Sequence, residues 1–226
     1  MGVSHLERIR VLIADDHAVV REGTRQILEQ EPDIEVVAEA SDGEEAVRLA
    51  GERKPDVAIV DIAMPKVDGI EATRQIKSLY PSISILILSA YDDDQFVFSL
   101  LEAGAAGYLL KNVRGRELVE AVRAVYAGES ALHPSIARKV LNRFVPASSK
   151  PKAEAHIEVL SDRELEVMQL AAQGASNQDI ADRLYLSIRT VQAHLAHIFN
   201  KLQVGSRTEA VVRALKEGWV TLDDIP

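Results

Sequence analysis

Val11-Leu12-Ile13-Ala14-Asp15-Asp16 is a short β-branched, apolar run that ends abruptly on two adjacent carboxylates. Extended back to Ile9, it is the first of five such runs, the others being Ile34 to Ala40, Val57 to Val60, Ile83 to Leu88 and Gly107 to Leu110. Segments of helical period lie between and after them, at Ala18 to Glu29, Glu44 to Arg53, Ile70 to Leu79, Asp94 to Ala103 and Glu117 to Ala127. Strands alternating with helices of this length build a parallel sheet covered by helices on both faces. The expectation is an α/β domain, a doubly wound parallel (βα)5 sheet, over residues 1–128.

After Gly128 the alternation stops. Pro134, Pro146 and Pro151 appear, with Ser148, Ser149, Lys150 and Lys152 close by, which is linker composition over 129–158. Within it Ser135 to Phe144 has helical spacing, with Pro134 at the first turn and Ile136, Val140, Leu141 and Phe144 on one side. Residues 159–226 read as all-α, with helices at Asp162 to Ala172, Asn177 to Leu184, Ile188 to Leu202 and Arg207 to Gly218.

In a doubly wound sheet, ligands bind beyond the carboxyl ends of the strands. The chemistry-bearing residues fall there: Asp15 and Asp16 after the first run, Asp61 after the third, Ser89 after the fourth and Lys111 after the fifth. Clustered carboxylates stay ionised only beside a cation, and hard oxygen donors suit Mg2+. With that charge balanced, a carboxylate oxygen can attack a phosphoryl group while Lys111 faces the transferred oxygens. Any one of these aspartates alone would be read as a turn former or helix cap; their joint placement points to a site. Asp92, Asp93 and Asp94 are expected only to cap the next helix, and Asp68-Gly69 to make a turn.

These residues resemble the receiver domains of two-component response regulators. The carriers are Val11 to Asp16, Asp61-Ile62-Ala63-Met64-Pro65 with Asp68-Gly69, Ser89-Ala90, and Gly104 through Lys111. The resemblance implies that Asp61 accepts the phosphoryl group from a sensor histidine kinase, and that Asp15, Asp16, Asp61 and the Ala63 carbonyl hold Mg2+. It also implies that Ser89 and Tyr108 are a coupled switch pair, with Lys111 the phosphate partner. Many receivers have Pro after this lysine and a cis peptide between them; here Asn112 follows, and both isomers stay open.

Tyr185, Leu186 and Ser187 separate two helical stretches by a gap just long enough to turn the chain, the spacing of a helix-turn-helix. Ile188, Val191, Leu195, Ile198 and Leu202 form the buried stripe of the second helix, while Arg189, Gln192, Ala193, His197 and Lys201 occupy a polar face suited to a major groove. Together with Leu160-Ser161-Asp162-Arg163-Glu164, Gly174 to Asn177, Thr190-Val191, His194 and Arg207 to Val211, this segment resembles the LuxR-type output domain of the NarL/FixJ class. That resemblance implies contacts to double-stranded DNA from Asn177, Gln178, Ser187, Arg189, Thr190, Gln192, Ala193, His194, His197 and Lys201. It also implies a homodimer when phosphorylated, joined through Arg207, Ala210, Val211 and Ala214. Gln178 and Gln192 stand where lysines are common, so fewer counterions would be released on binding. His194 and His197 lack a nearby third donor for a metal site. Trp219 is expected to close the last helix by packing.

The net charge of −9 is concentrated as acid in the first part, which leaves the C-terminal part compatible with DNA. Absence of Cys excludes disulfides, thiolate metal sites and thiol nucleophiles. No stretch approaches the ~20 apolar residues of a membrane span, and the first ten residues lack a signal pattern, so a cytoplasmic place without membrane contact is expected. A magnesium phosphohydrolase with an aspartyl-phosphate intermediate commonly needs a second Asp two positions beyond the nucleophile, where Ala63 stands. The chain is therefore expected to be no enzyme beyond its own phosphorylation and slow dephosphorylation. A scaffold that takes no phosphate fits poorly with Asp15, Asp16, Asp61 and Lys111 all present.

Overall fold

The structure, a computed structural model, describes residues 8–91, 93–144 and 160–220. Asp92 and the linker residues Pro146 and Ser148 to Lys152 lie outside the described residues. The strands are β1 (Ile9–Ala14), β2 (Ile34–Ala40), β3 (Val57–Val60), β4 (Ser84–Ser89), β5 (Gly107–Leu110) and β6 (Ala131–Leu132). All pair in parallel, in the order β2-β1-β3-β4-β5-β6. The chain leaves β1 toward β2 on one side and continues from β3 on the other, so the order reverses between β1 and β3, where Asp15 and Asp61 emerge.

Both faces of the sheet are apolar because helices cover both. Val11 and Ile13 of β1 face α1 (Ala18–Leu28) and α5 (Gly115–Tyr126), in a core with Leu28, Leu118, Val122 and Val125. Leu12 and Ala14, one residue out of phase, face α2 (Gly43–Arg53), α3 (Gly69–Leu79) and α4 (Asp94–Glu102), with Leu49, Ala72, Ile76 and Leu101. The two-residue period of a strand thus divides one apolar run between two cores.

The sheet has six strands where five were expected. Ala131 and Leu132 pair with Gly107 and Tyr108, and α6 (Pro134–Phe144) lays Ile136 and Val140 into the second of these cores. Ile136 is fully buried, worth roughly 1.5–3 kcal/mol. Residues 131–144, expected as linker, therefore pack on the receiver-like sheet. Strand β4 also begins and ends one residue later than expected, which draws Ser89 into the strand.

The remaining helices are α7 (Asp162–Ala172), α8 (Asn177–Leu184), α9 (Ile188–Leu202) and α10 (Arg207–Lys216). Ser161, Ser176, Ser187 and Ser206 each cap one by accepting an amide from the first turn. Val191, Leu195, Ile198 and Leu202 of α9 meet Val167, Met168 and Ile180 in a separate core, and Trp219 packs at its edge. Asp93, expected with its two neighbours to cap α4, precedes that helix without a side-chain capping bond.

Candidate functional sites

Asp15, Asp16, His17 and Asp61 bring one ligand atom each to within 4.8 Å of one another. Two strand ends, adjacent at the reversal of strand order, deliver them. Asp61 is held by its amide, which donates to the Ala14 carbonyl (2.9 Å). Lys111, at the end of β5, places its ammonium 2.8 Å from Asp15 Oδ2 and 2.9 Å from Asp61 Oδ2. Asp15 Oδ1 accepts the His17 amide, whereas Asp61 Oδ1 is buried without a hydrogen-bond partner. Burial pushes the Asp61 carboxyl above the usual carboxylate range, although the Lys111 ammonium opposes the shift. Burial also works against the charge on Lys111, but its bonds to Asp15 and Asp61 prevail and raise its pKa.

A buried, partnerless carboxylate oxygen is costly unless something fills the position. The three carboxylates of this cluster, with excess negative charge and an exposed side at Asp16, fit a hard divalent cation such as Mg2+. His17 belongs to this cluster, its Nδ1 lying 2.6 Å from Asp16 Oδ1. Sequence reading passed over it, although its position directly after the two aspartates was the available signal. Ala63 is exposed in the loop following β3.

That loop is clamped from two sides. A Cβ on Gly69 would lie 2.1 Å from the Asp61 carbonyl oxygen, and one on Gly43 would lie 2.1 Å from that of Val67. Lys66, in the left-handed region at φ 63°, reaches back to Asp42 Oδ2 (2.6 Å). The opposite wall carries Ser89 and Tyr108. Tyr91 links them, its amide donating to Ser89 Oγ (3.2 Å) and its carbonyl accepting from the Tyr108 hydroxyl (2.8 Å). The Lys111–Asn112 peptide is trans, as no described peptide bond is cis.

On α9, Arg189, Gln192, Ala193 and His197 form an exposed row, with Thr190 and His194 half-buried beside it. Ser187 and Thr190 hydroxyls bond each other at 2.8 Å across the helix start, and Gln178 is exposed but tied to Asp182. This face is open and small-residue in character near its N-terminal end, which suits entry into a groove.

Residues 11–123 match the response regulator receiver domain, and residues 158–214 match the bacterial regulatory proteins of the luxR family. The transcriptional regulatory protein LiaR of Bacillus subtilis (strain 168) is 46% identical over 206 residues, covering 91% of this chain and 96% of LiaR. Among solved structures, the response regulator ChrA of a heme-sensing two-component system is 40% identical, covers 94% of this chain and 99% of its own, and superposes with a TM-score of 0.52. Two RcsB dimers bound to two parallel DNAs give 29% identity, coverage of 93% and 98%, and a TM-score of 0.55. The chain belongs to the two-component response regulators with a luxR-type output domain. It is accordingly a transcription regulator with a receiver and a DNA-binding domain.

In this response regulator the two domains are docked, and that changes the reading of several output residues. Asn177, expected at DNA, is buried at the interface: its amide donates to Glu129 Oε1 (2.9 Å) and its side chain to the Ala127 carbonyl (2.8 Å). The Lys201 ammonium, also expected at DNA, is held 2.7 Å from Glu164 Oε2. Three residues expected to join two copies lie inside the output domain instead. Arg207 donates to Asn177 Oδ1 and to the carbonyls of Ala171 and Ala175, while Ala210 and Ala214 are fully buried in its core. Val211 alone of the four lies partly open, in a cleft of about 280 Å³ between α10, α6 and the end of α7. Further contacts come from Ser206 and Thr208, whose hydroxyls donate to the Ala105 and Ala106 carbonyls at the entry to β5 (3.1 and 2.9 Å). Val212 joins the receiver core, and Lys216 pairs with Glu102.

Proposed function

We propose that this regulator is switched by a phosphoryl group accepted on Asp61 from a sensor histidine kinase. The observation that carries the reading is the buried, partnerless Asp61 Oδ1, with Lys111 bound to the other oxygen of the same carboxylate. An oxygen of the Asp61 carboxylate would attack phosphorus, forming an O–P bond as the P–N bond to the donor imidazole breaks and the imidazole takes up a proton. Lys111 would leave Asp15 to meet the transferred oxygens, an electrostatic role of the kind that dominates phosphoryl transfer. Mg2+ held by Asp15, Asp16, Asp61 and the Ala63 carbonyl would supply further positive charge to those oxygens. Ser89 would turn its hydroxyl to the new phosphoryl group, giving up the Tyr91 amide and thereby loosening the Tyr91–Tyr108 bond.

The exposed row Arg189, Gln192, Ala193 and His197, with Ser187, Thr190, His194 and Gln178 at its border, is proposed as the surface that reads double-stranded DNA. The DNA-bound RcsB dimers support both a DNA partner and a homodimer. In the docked arrangement α10 lies between its own core and the receiver, which leaves little of it for a second copy. Phosphorylation is therefore proposed to favour an undocked state in which α10 pairs, a shift in population rather than a new fold. Residues 1–128, 129–158 and 159–226 are proposed as receiver, connecting segment and output domain, with 131–144 seated on the receiver. Among the described residues no helix is long and apolar enough to cross a membrane, and a cytoplasmic place is proposed.

The test combines acetyl phosphate, Mg2+ and DNA selected from random sequence. The intact chain is expected to gain an acyl phosphate and bind paired sites more tightly, while Asp61→Asn does neither. Equal gain in DNA affinity by Asp61→Asn would overturn the proposal.

A further inference from the structure

The two carboxylates contributed by β1 are carried on a three-residue turn, Asp15 to His17, that leads into α1. A turn at a sheet edge holds its side chains only as well as its backbone is braced. One brace is ordinary for the fold: the Asp15 amide donates to the Ala40 carbonyl of β2 (3.1 Å). The other is a side chain. Arg21, one turn into α1, donates from Nη1 to the Asp15 carbonyl at 2.6 Å, and its own amide donates to the His17 carbonyl (3.0 Å). The guanidinium is held in turn from β2, its Nε lying 3.5 Å from Glu39 Oε2, while Arg25 approaches the other Glu39 oxygen at 3.5 Å. Glu39 immediately precedes Ala40, so both braces originate on the same end of β2, and the Arg21 side chain is only 20% exposed.

We infer that Arg21 is a positioning residue for the Asp15–Asp16 half of the cation site, with Glu39 as its anchor. The inference rests on the Mg2+ reading of that site. It has a sign that separates it from simple electrostatics. A guanidinium near three carboxylates and a divalent cation repels the cation, so charge alone predicts that removing Arg21 tightens Mg2+ binding. Bracing predicts the reverse, because residues that orient metal ligands typically contribute 10–100-fold in affinity.

The experiment is a Mg2+ titration of the intact, unphosphorylated chain without phosphodonor, followed by isothermal calorimetry and by the backbone amide shifts of Asp15, Asp16 and Asp61. Arg21→Met, which keeps the length but not the donors, is expected to weaken Mg2+ by about tenfold or more. Arg21→Lys, which keeps one donor and the charge, is expected to recover part of that loss, and Glu39→Gln to weaken binding in the same direction by less. Unchanged or tighter binding in Arg21→Met overturns the inference. Should that variant not fold, wild-type affinity in both Arg21→Lys and Glu39→Gln overturns it equally. A wild-type chain with no saturable response would overturn the metal reading beneath it, an outcome distinct from variants that match a binding wild type.

Discussion

Asp61 draws its character from its immediate neighbours. Burial raises its pKa above the ordinary 3.8 and the Lys111 ammonium holds it back. The attack proposed for Asp61 needs the ionised carboxylate, so phosphoryl acceptance is expected above the raised pKa and is expected to be lost as pH falls through it. The side-chain carbon of Asp61, followed by NMR without metal, is expected to titrate with a midpoint above 3.8, and higher again in Lys111→Met. A midpoint at or below the ordinary value would remove this account. Gly69 acts on the same atom set by having no side chain. Its added Cβ would stand 2.1 Å from the Asp61 carbonyl, a backbone atom that cannot step aside alone. Gly69→Ala is expected to slow acyl phosphate formation at least tenfold, roughly 1.4 kcal/mol in barrier, measured by mobility shift with acetyl phosphate. A variant that phosphorylates at the wild-type rate would show that the loop yields freely.

At the scale of elements, the start of α7 shows how a local signal serves a distant contact. Ser161 and Glu164 form a reciprocal capping box, and the same Glu164 carboxylate receives Lys201 from α9. Burial alone would push the Glu164 carboxyl up, but bonds from Lys201 and Ser161 prevail and lower it from 4.5 to about 2. A depressed folded-state pKa means stability that is present above 4.5 and lost as pH falls toward 2. Glu164→Ala is expected to cost roughly 0.5–2 kcal/mol at neutral pH and to flatten the acid limb of the stability curve, both read by denaturant melts at several pH values. An unaltered acid limb would place the titrating group elsewhere. Legibility at this scale was high for α7, α8 and α9, where the helical period and the Ser187 cap mark the elements. It was low for β6, since two residues, Ala131 and Leu132, carry no period of their own.

For the whole molecule, the docked arrangement sets α10, the element proposed to pair two copies, against the receiver. The output domain meets the receiver through polar contacts of Asn177 in α8, of Ser206 at the cap of α10 and of Thr208 and Lys216 within it, and through the apolar Val212. Each side-chain hydrogen bond is worth about 1 kcal/mol, so on the proposed switching a modest change at the receiver is expected to suffice for release of the output domain. Glu129→Ala combined with Ser130→Ala removes one partner each of Asn177 and Thr208 in the segment that follows the receiver, and leaves the output domain itself unaltered. Without phosphodonor this variant is expected to show a larger radius of gyration in solution scattering and about five- to thirtyfold tighter binding to paired DNA sites. Scattering and affinity identical to wild type would show that docking does not restrain pairing.

The apolar runs and the residues that end them determined the sheet, the helices and the acidic cluster, because strand and helix periods are local properties and Asp15, Asp61 and Lys111 each follow a strand directly. The Ser187–Leu202 pattern determined the open helix face in the same way. Tertiary structure alone decided the partners: that His17 joins the aspartates, that Tyr91 bridges Ser89 and Tyr108, that Gly43 and Gly69 clamp one loop, that Asn177 and Arg207 are buried, and that a half-buried Lys201 pairs with Glu164. These are contacts between segments distant in the chain, and an exposed polar residue and a buried paired one look alike until the surfaces meet. Asn177 illustrates the difference, a polar residue at a helix start by sequence and a buried link between two domains in space.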